Sequence, residues 1–230
     1  MHPPVTFDLN GHRALVTGGA QGIGLAITQA LVAHGARVHI CGTNATALKE
    51  TAQSLPGIGI SVADITKEAQ VAAMFTEIEQ RLGGLGILVN NAGIAGPTAA
   101  IEDITLDDWN QCLDVNLTGT FLCTRSAVPG MKQRRHGSII NIGSVASRLA
   151  FPRRSPYSAT KYGVIGLTET WATELGPHQI RVNAVLPGIV EGPRQDRVLS
   201  ASAEAAGVSV DEMRERVLQQ IGRASCRERV

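Results

Sequence analysis

Short apolar segments alternate along the chain with longer segments whose apolar residues recur at every third or fourth position. The longer segments are typical of helices and lie at residues 22–34, 66–82, 106–132 and 156–175. The short segments are rich in Val, Ile and Leu and predict strands at residues 13–17, 37–41, 59–63, 87–90, 138–142 and 180–186. Because the strands are apolar throughout and helices separate them, we expect an α/β fold with a parallel sheet covered on both faces.

Polar residues before the helical segments indicate where helices begin. Candidate N-caps are Asn44, either Asp64 or Thr66, and Thr105, since a side-chain oxygen there can accept a hydrogen bond from a free helix N–H group. The chain has no internal repeat, low-complexity segment or linker. We therefore expect residues 1–220 to form one domain.

Composition narrows the classes of function. The 230 residues are 43% hydrophobic and carry a formal net charge of +1, so nothing favours binding to nucleic acid or to a membrane surface. No apolar run reaches the ~18 residues of a membrane span, and the start of the chain lacks the pattern of an export signal. The four cysteines show no C-x-x-C spacing and the six histidines no ligand spacing. We expect a cytoplasmic protein with reduced thiols and no metal site.

A glycine-rich loop follows the first predicted strand and opens the first predicted helix. It reads Thr17-Gly18-Gly19-Ala20-Gln21-Gly22-Ile23-Gly24, with the spacing G-x-x-x-G-x-G. Glycines at such a turn let the backbone approach a pyrophosphate, which also meets the positive end of the helix. Ordinary turns and methyltransferase cofactor loops look similar, so the loop alone leaves its ligand open.

Tyr157 and Lys161 form the second candidate site. Residues four apart share one face of a helix, so the phenol and the ammonium can converge. A free phenol is a poor acid–base group near neutrality, and a neighbouring cation favours its ionised form. The pair suits a proton donor and acceptor, although a lysine that merely extends past an aromatic ring has the same spacing.

These motifs, together with Asn90-Asn91-Ala92-Gly93, Asn116, Ser144 and Pro187-Gly188, resemble those of the short-chain dehydrogenase/reductase family. The similarity runs from about residue 8 to about residue 220 in the family's order and spacing. It implies a Rossmann-type doubly wound parallel sheet of strand order 3-2-1-4-5-6, without the family's last strand. It also implies an NAD(P)(H)-dependent oxidoreductase that interconverts a secondary alcohol and a ketone by hydride transfer.

The resemblance assigns catalytic roles to four residues. Tyr157 would be the general acid or base, Lys161 would favour its ionisation and bond the nicotinamide ribose, and Ser144 would hydrogen-bond the substrate oxygen. Asn116 would bend its helix and hold a water that relays protons to the lysine. Without the family match, Ser144 is simply a residue of a turn at a strand end, and Asn116 is a helical residue facing solvent.

The resemblance also implies a set of cofactor contacts at the strand ends. They are Gly18, Gln21, Gly22, Ile23, Gly24, Thr43, Asp64, Ile65, Asn91, Ala92, Gly93, Tyr157, Lys161, Pro187, Gly188 and Ile189. Asp64 would contact adenine, a position that equally suits a plain helix cap. The family often has a threonine where this chain has Gly192.

The choice between the two nicotinamide cofactors depends on the end of the second strand. Folds that prefer NAD place a carboxylate there to bind the ribose 2′-hydroxyl, whereas Ile40-Cys41-Gly42-Thr43-Asn44 has none. The arginine of many phosphate-binding relatives is also missing. NADP(H) is slightly favoured over NAD(H).

Arginines flank the predicted cleft at positions 148, 153, 154, 194 and 197. They either recognise a carboxylate or phosphate or form a solvated basic face. The substrates considered are therefore a 3-oxoacyl compound or β-keto acid, a hydroxy acid, a diol and a sugar derivative. Residues 190–220 would form the lid over this small molecule.

The last residues, 221–230, are charged and do not resemble the family. We expect them to reflect a truncation or frameshift that removes a terminal strand. The expected assembly is a homo-oligomer, either a dimer through the helices at 106–132 and 156–175 or the family's tetramer. The alternative function is a catalytically impaired dinucleotide-binding protein that senses or scaffolds without turnover.

Overall fold

The computed structural model describes residues 7–227 and contains a six-stranded parallel sheet of order β3-β2-β1-β4-β5-β6. The strands are β1 (Arg13–Thr17), β2 (Arg37–Gly42), β3 (Gly59–Val62), β4 (Ile87–Asn90), β5 (Gly137–Ile142) and β6 (Ile180–Val185). The predicted fold class and strand order are confirmed, and the predicted strand ends differ from these by at most one residue.

Between residues 7 and 227, eight α-helices connect the strands or follow them. They are α1 (Gly22–Ala33), α2 (Ala45–Ser54), α3 (Glu68–Leu82), α4 (Leu106–Leu113), α5 (Gly119–Arg134), α6 (Ser155–Leu175), α7 (Pro193–Ala206) and α8 (Val210–Arg227). Helix α2 begins directly after the predicted cap Asn44, and of its residues Leu48 and Thr51 are buried. Helix α8 includes part of the charged ending, of which residues 228–230 lie outside the described residues.

The start of α3 differs from the prediction. Asn44 and Thr105 cap α2 and α4 as expected, but α3 begins only at Glu68, and neither Asp64 nor Thr66 is its N-cap. The Asp64 carboxylate instead accepts a hydrogen bond from the Thr66 N–H group at 2.9 Å. The Asp64 side chain therefore stabilises a turn before α3 and does not cap the helix itself.

The predicted helix at 106–132 is divided in two. A π-helical segment, Asp114–Thr118, joins α4 to α5, and such insertions often occur at functional sites. Asn116 lies in the middle of this segment, where the regular α-helical hydrogen bonding is interrupted.

The core consists of two apolar layers, one on each face of the sheet. Along β1, Leu15 faces the layer formed with α3 and α5, and Val16 faces the layer formed with α1 and α2. Full burial of one such side chain contributes about 1.5–3 kcal/mol. Both faces are covered at β1, whereas one face of β6 is exposed at Arg181, Asn183 and Val185.

Within residues 7–227, no helix is long and apolar enough to cross a bilayer. In the same part of the chain, no group of three or more His, Cys, Asp or Glu side chains is placed to hold a metal ion.

Candidate active site at the carboxyl ends of the strands

All strands are parallel, so their carboxyl ends meet at one edge of the sheet. The strand order reverses between β1 and β4, and in open α/β sheets ligands bind in the crevice at this point. Gly18 follows β1 and Asn91 follows β4. The predicted residues of both motifs therefore meet at the expected crevice.

The glycine-rich loop is packed tightly at three of its positions, Gly18, Gly19 and Gly24, and a Cβ atom added to Gly19 would lie 2.6 Å from Ile40 Cγ2. A Cβ atom added to Gly24 would lie 2.2 Å from the carbonyl oxygen of Gly18 and 2.4 Å from Asn91 Nδ2. Gly18 has a φ of 63°, and an added Cβ would lie 3.1 Å from Asn91 Nδ2. Thr28 Oγ1 donates to the Gly19 and Gly24 carbonyls at 3.0 and 2.9 Å and holds the loop on α1.

Asn91 and Thr17 fix the loop to the end of β4. Asn91 Nδ2 donates to the carbonyl oxygens of Thr17 and Gly18 at 2.9 and 3.2 Å. In return, Thr17 Oγ1 accepts hydrogen bonds from the N–H groups of Asn91 and Ala92, each at 3.0 Å. The two motifs thus form one rigid unit.

The start of α1 is suited to an anion. Its N-cap residue, Gln21, makes no side-chain capping bond, and the first turn contains no acidic residue. Gly22 has a φ of 50° with open space where a Cβ would stand. Free N–H groups at a helix start, beside backbone that a ligand can approach closely, fit the pyrophosphate of a dinucleotide.

Asn116 links the loop after β4 to α6. It is 1% exposed, and its Oδ1 accepts from the Ile94 N–H group at 2.8 Å while its Nδ2 donates to the Ile94 carbonyl at 3.1 Å. Nδ2 also lies 3.0 Å from Thr160 Oγ1. The solvent-facing alternative for Asn116 is therefore wrong. A Cβ on Gly93 would come within 2.9 Å of Asn116 Oδ1, so this residue has to be small.

Tyr157 and Lys161 lie on the cleft face of α6, as their spacing predicts. Lys161 Nζ is 5.7 Å from the centre of the Tyr157 ring. Thr160, between them, donates to the Tyr157 carbonyl at 2.7 Å and contacts Asn116. The buried Thr160 thus connects Asn116 to the backbone of Tyr157, and Lys161 lies beside the Tyr157 ring.

Lys161 is 5% exposed, and its Nζ donates to the carbonyl oxygen of Ile142, the last residue of β5, at 2.7 Å. Burial lowers the pKa of the Lys161 ammonium to about 8, with a further lowering from Arg194 and an opposing influence from Cys112. The Lys161 ammonium therefore loses its proton at a lower pH than an exposed lysine does. Groups with strongly shifted pKa values are concentrated at functional sites.

Ser144 stands at the turn after β5. Its Oγ accepts from the Ala146 N–H group at 3.1 Å, so it acts as a turn residue here and shares no hydrogen bond with Tyr157 within the described residues. The next residue, Val145, donates its N–H to the Pro187 carbonyl at 3.1 Å. The loop that contains Gly188 and Ile189 therefore lies against the Ser144 turn.

The remaining cofactor candidates occupy the other half of the edge. Thr43 is exposed after β2, and the N–H group of Ala63 donates to the Gly42 carbonyl at 3.0 Å, which brings Asp64 beside that strand end. The side chain of Ile65 is buried in the core, so only its backbone could meet a ligand. Thr43 therefore lies at the end of β2, and Asp64 and Ile65 lie at the end of β3.

The five arginines are not equivalent. Arg148, Arg153 and Arg197 are exposed. Arg194 Nη1, on the first turn of α7, donates to the Gly93 carbonyl at 3.1 Å across the cleft, and Arg154 is buried.

Gly192 precedes α7 with a φ of 145°. This backbone conformation strongly favours glycine. The departure from the family's threonine therefore matches the local backbone of this chain.

The sequence analysis missed three threonines that hold the site together: Thr17, Thr28 and Thr160. Thr17 is the first residue of the glycine-rich loop, Thr28 lies one helical turn after Gly24, and Thr160 lies between Tyr157 and Lys161. A small hydroxyl residue at such a position can bond the motif's own backbone, and this was the available signal.

Comparisons with known proteins agree with this architecture. A sequence model of the short chain dehydrogenase family matches residues 12–203. D-beta-hydroxybutyrate dehydrogenase of Cupriavidus necator is 42% identical over 92% of this chain and 83% of its own length. Trans-4-hydroxycyclohexanecarboxylate dehydrogenase of Sinomonas cyclohexanicum is 44% identical over 78% of this chain and 73% of its own. The crystal structure of NAD+-bound xylitol dehydrogenase superposes with a TM-score of 0.83 at 32% identity, covering 86% of this chain and 78% of that one.

Proposed function

We propose, because this chain belongs to the short-chain dehydrogenase family, that it interconverts a secondary alcohol and a ketone with Tyr157 as the general acid and base. The relatives described above are dehydrogenases, and one of them was solved with NAD+ bound. The observation that carries the proposal is the grouping of three of the assigned residues: Thr160 joins Asn116 to the Tyr157 carbonyl, and Lys161 Nζ lies 5.7 Å from the centre of the Tyr157 ring.

The protein groups divide the proton chemistry among them. In ketone reduction, Tyr157 Oη gives a proton to the substrate oxygen, and in alcohol oxidation it takes one. Lys161, while protonated, stabilises the phenolate that remains. Ser144 Oγ donates to the substrate oxygen after its hydroxyl hydrogen turns into the cleft, and Asn116 keeps α6 in register with the loop after β4. When bound, the dinucleotide supplies or accepts the hydride.

The glycine-rich loop and the start of α1 would hold the pyrophosphate. Asn91 to Gly93 would border the cofactor along β4, Pro187 to Ile189 would meet the carboxamide, and Asp64 the adenine. Residues 1–220 would work as one domain with a lid at about 190–220. The expected homo-oligomer belongs to the same proposal, as does a cytoplasmic location.

NADP(H) is the proposed preference, since no carboxylate follows β2. We expect Gly42→Asp to reverse the preference by lowering kcat/KM with NADPH roughly tenfold or more, because a carboxylate there repels a 2′-phosphate. Gly42 has open space where a Cβ would stand, so the side chain fits without strain. Steady-state kinetics with both cofactors measure the ratio.

The matched control for charge is Gly42→Asn, which adds the same volume without a carboxylate. If Asn and Asp change the ratio equally, the effect is steric and the charge argument fails. A wild-type protein that already prefers NADH contradicts the NADP(H) assignment outright.

The substrate set remains a β-keto or 3-oxoacyl compound, a hydroxy acid, a diol or a sugar derivative. The relatives act, by their names, on hydroxybutyrate, on a hydroxycyclohexanecarboxylate and on xylitol. Two of these three carry a carboxylate, and the third is a polyol.

The experiment follows the absorbance of the reduced nicotinamide while the protein is given panels of ketones, secondary alcohols and hydroxy acids. We expect turnover with some members of the panel and none with primary amines or esters that carry neither a ketone nor a secondary alcohol group. Cofactor binding by calorimetry without turnover of any substrate would instead favour the non-catalytic dinucleotide-binding protein.

A further inference from the structure

Arg154 is a buried cation beside the reactive phenol. It directly precedes α6, is 7% exposed, and its guanidinium carbon lies 4.9 Å from the centre of the Tyr157 ring. Nη2 donates to the Ala95 carbonyl at 2.7 Å. Nε is buried and has no hydrogen-bond partner within residues 7–227.

The charges around Arg154 make its burial unfavourable. Among the described residues, no carboxylate forms an ion pair with Arg154, Lys161 or Arg194. Burial lowers the pKa of the Arg154 guanidinium and Arg194 lowers it further, whereas Tyr157 and Cys112 oppose this shift. The positive end of α6 begins at the next residue, which also disfavours a cation there. A buried charge without a counter-ion is costly unless a partner compensates it.

We propose that Arg154 is the binding subsite for a carboxylate of the substrate, with Arg194 as a second, more exposed cation at the mouth of the same cleft. The inference rests on the proposed function and selects the hydroxy and keto acids from its substrate set. The carboxylate accepts hydrogen bonds from the guanidinium's Nη groups, of which Nη2 is shared with the Ala95 carbonyl, and it neutralises the cluster of cations. Because Arg154 lies over the Tyr157 ring, the acid group is only a few bonds from the carbon that reacts.

Arg154 also supports the loop after β4 through its bond to the Ala95 carbonyl, next to a backbone bond from the Ala99 N–H group to the Arg153 carbonyl at 3.0 Å. If Arg154 only supported this loop, its replacement would also lower activity, although no substrate carboxylate would be bound by it. The test therefore has to separate recognition of the acid group from general support of the site.

The first measurement is the ratio of kcat/KM for an acid to that for its methyl ester, over 2-, 3- and 4-hydroxy acids of four to six carbons. A general loss of activity cancels in this ratio. We expect the wild type to favour the best acid roughly 10- to 100-fold, the range expected for hydrogen bonds to a charged group. Arg154→Met should bring the ratio to about one, and Arg154→Lys should give an intermediate value because it keeps the charge without the planar fork.

Arg153→Met is the matched control, since it removes an exposed arginine from the adjacent position and should leave the ratio unchanged. A wild type that treats acids and esters alike overturns the proposal. So does an Arg154→Met protein that loses stability or activity while the ratio stays the same.

A second measurement needs no turnover. Butyrate should raise the melting temperature of the wild-type protein, with and without NADPH, whereas butyramide should not, and the shift should be lost in Arg154→Met. The absence of a butyrate shift in the wild type overturns the subsite even if neutral ketones are reduced. Butyrate binding without turnover of any alcohol or ketone would instead overturn the proposed function.

Discussion

Replacing Tyr157 with Phe should lower kcat/KM by roughly 10²- to 10⁴-fold, the usual contribution of general acid–base catalysis. Phe keeps the ring that packs against Arg154 and Lys161, so the fold and the cofactor site should stay intact. Only the hydroxyl that exchanges the proton is lost. Steady-state kinetics measure the loss, and calorimetry with the dinucleotide measures what is retained.

Tyr162→Phe is the control for this change. Tyr162 lies on the same helix, is 52% exposed, and should tolerate the loss of its hydroxyl with no effect on turnover. Substantial turnover by Tyr157→Phe would contradict the role assigned to the phenol. Loss of dinucleotide binding together with activity would show that the variant has damaged the site.

Replacing Lys161 with Met should abolish most activity and yet make the protein more stable. With the pKa of the buried ammonium at about 8 and that of an unfolded lysine at about 10.4, burying the charge at pH 7 costs about 3 kcal/mol. Met fills a similar volume without a charge, while the lost hydrogen bond to Ile142 gives back about 1 kcal/mol. We expect the free energy of unfolding to rise by about 1–2 kcal/mol and kcat/KM to fall at least about 100-fold.

The stability difference should depend on pH with a defined sign. Between pH 8 and the unfolded pKa, the folded protein has released the proton of Lys161 and the unfolded chain still holds it, so wild-type stability rises with pH in this window. The advantage of Lys161→Met should therefore be largest near pH 7 and smaller at about pH 9.5. Urea unfolding of both proteins at the two pH values measures it.

Lys132→Met, which removes an exposed lysine from the end of α5, should change neither activity nor the pH dependence. A Lys161→Met protein that is less stable than the wild type at pH 7 would contradict the unfavourable burial of the charge. Retained activity would remove Lys161 from the mechanism.

Much of the fold could be predicted because its signals are local. An apolar run such as residues 87–90 predicts β4 without any knowledge of its neighbours, and the spacing of Tyr157 and Lys161 places both on one helix face. The start of α3 could not be read in this way. Asp64 and Thr66 are both good capping residues, and only the hydrogen bond between them shows that they form a turn before the helix.

Local patterns in the chain were enough to predict the parallel sheet, the glycine-rich loop at its edge and the residues available for proton chemistry, because each depends on residues close together in the chain. The tertiary structure alone decided which polar side chains are buried. Asn116 meets Thr160 across 44 positions, and Asn91 meets Thr17 across 74. It also made Arg154 a buried cation while Arg153 stayed exposed. Burial depends on packing between distant elements, and no short stretch of sequence contains that information.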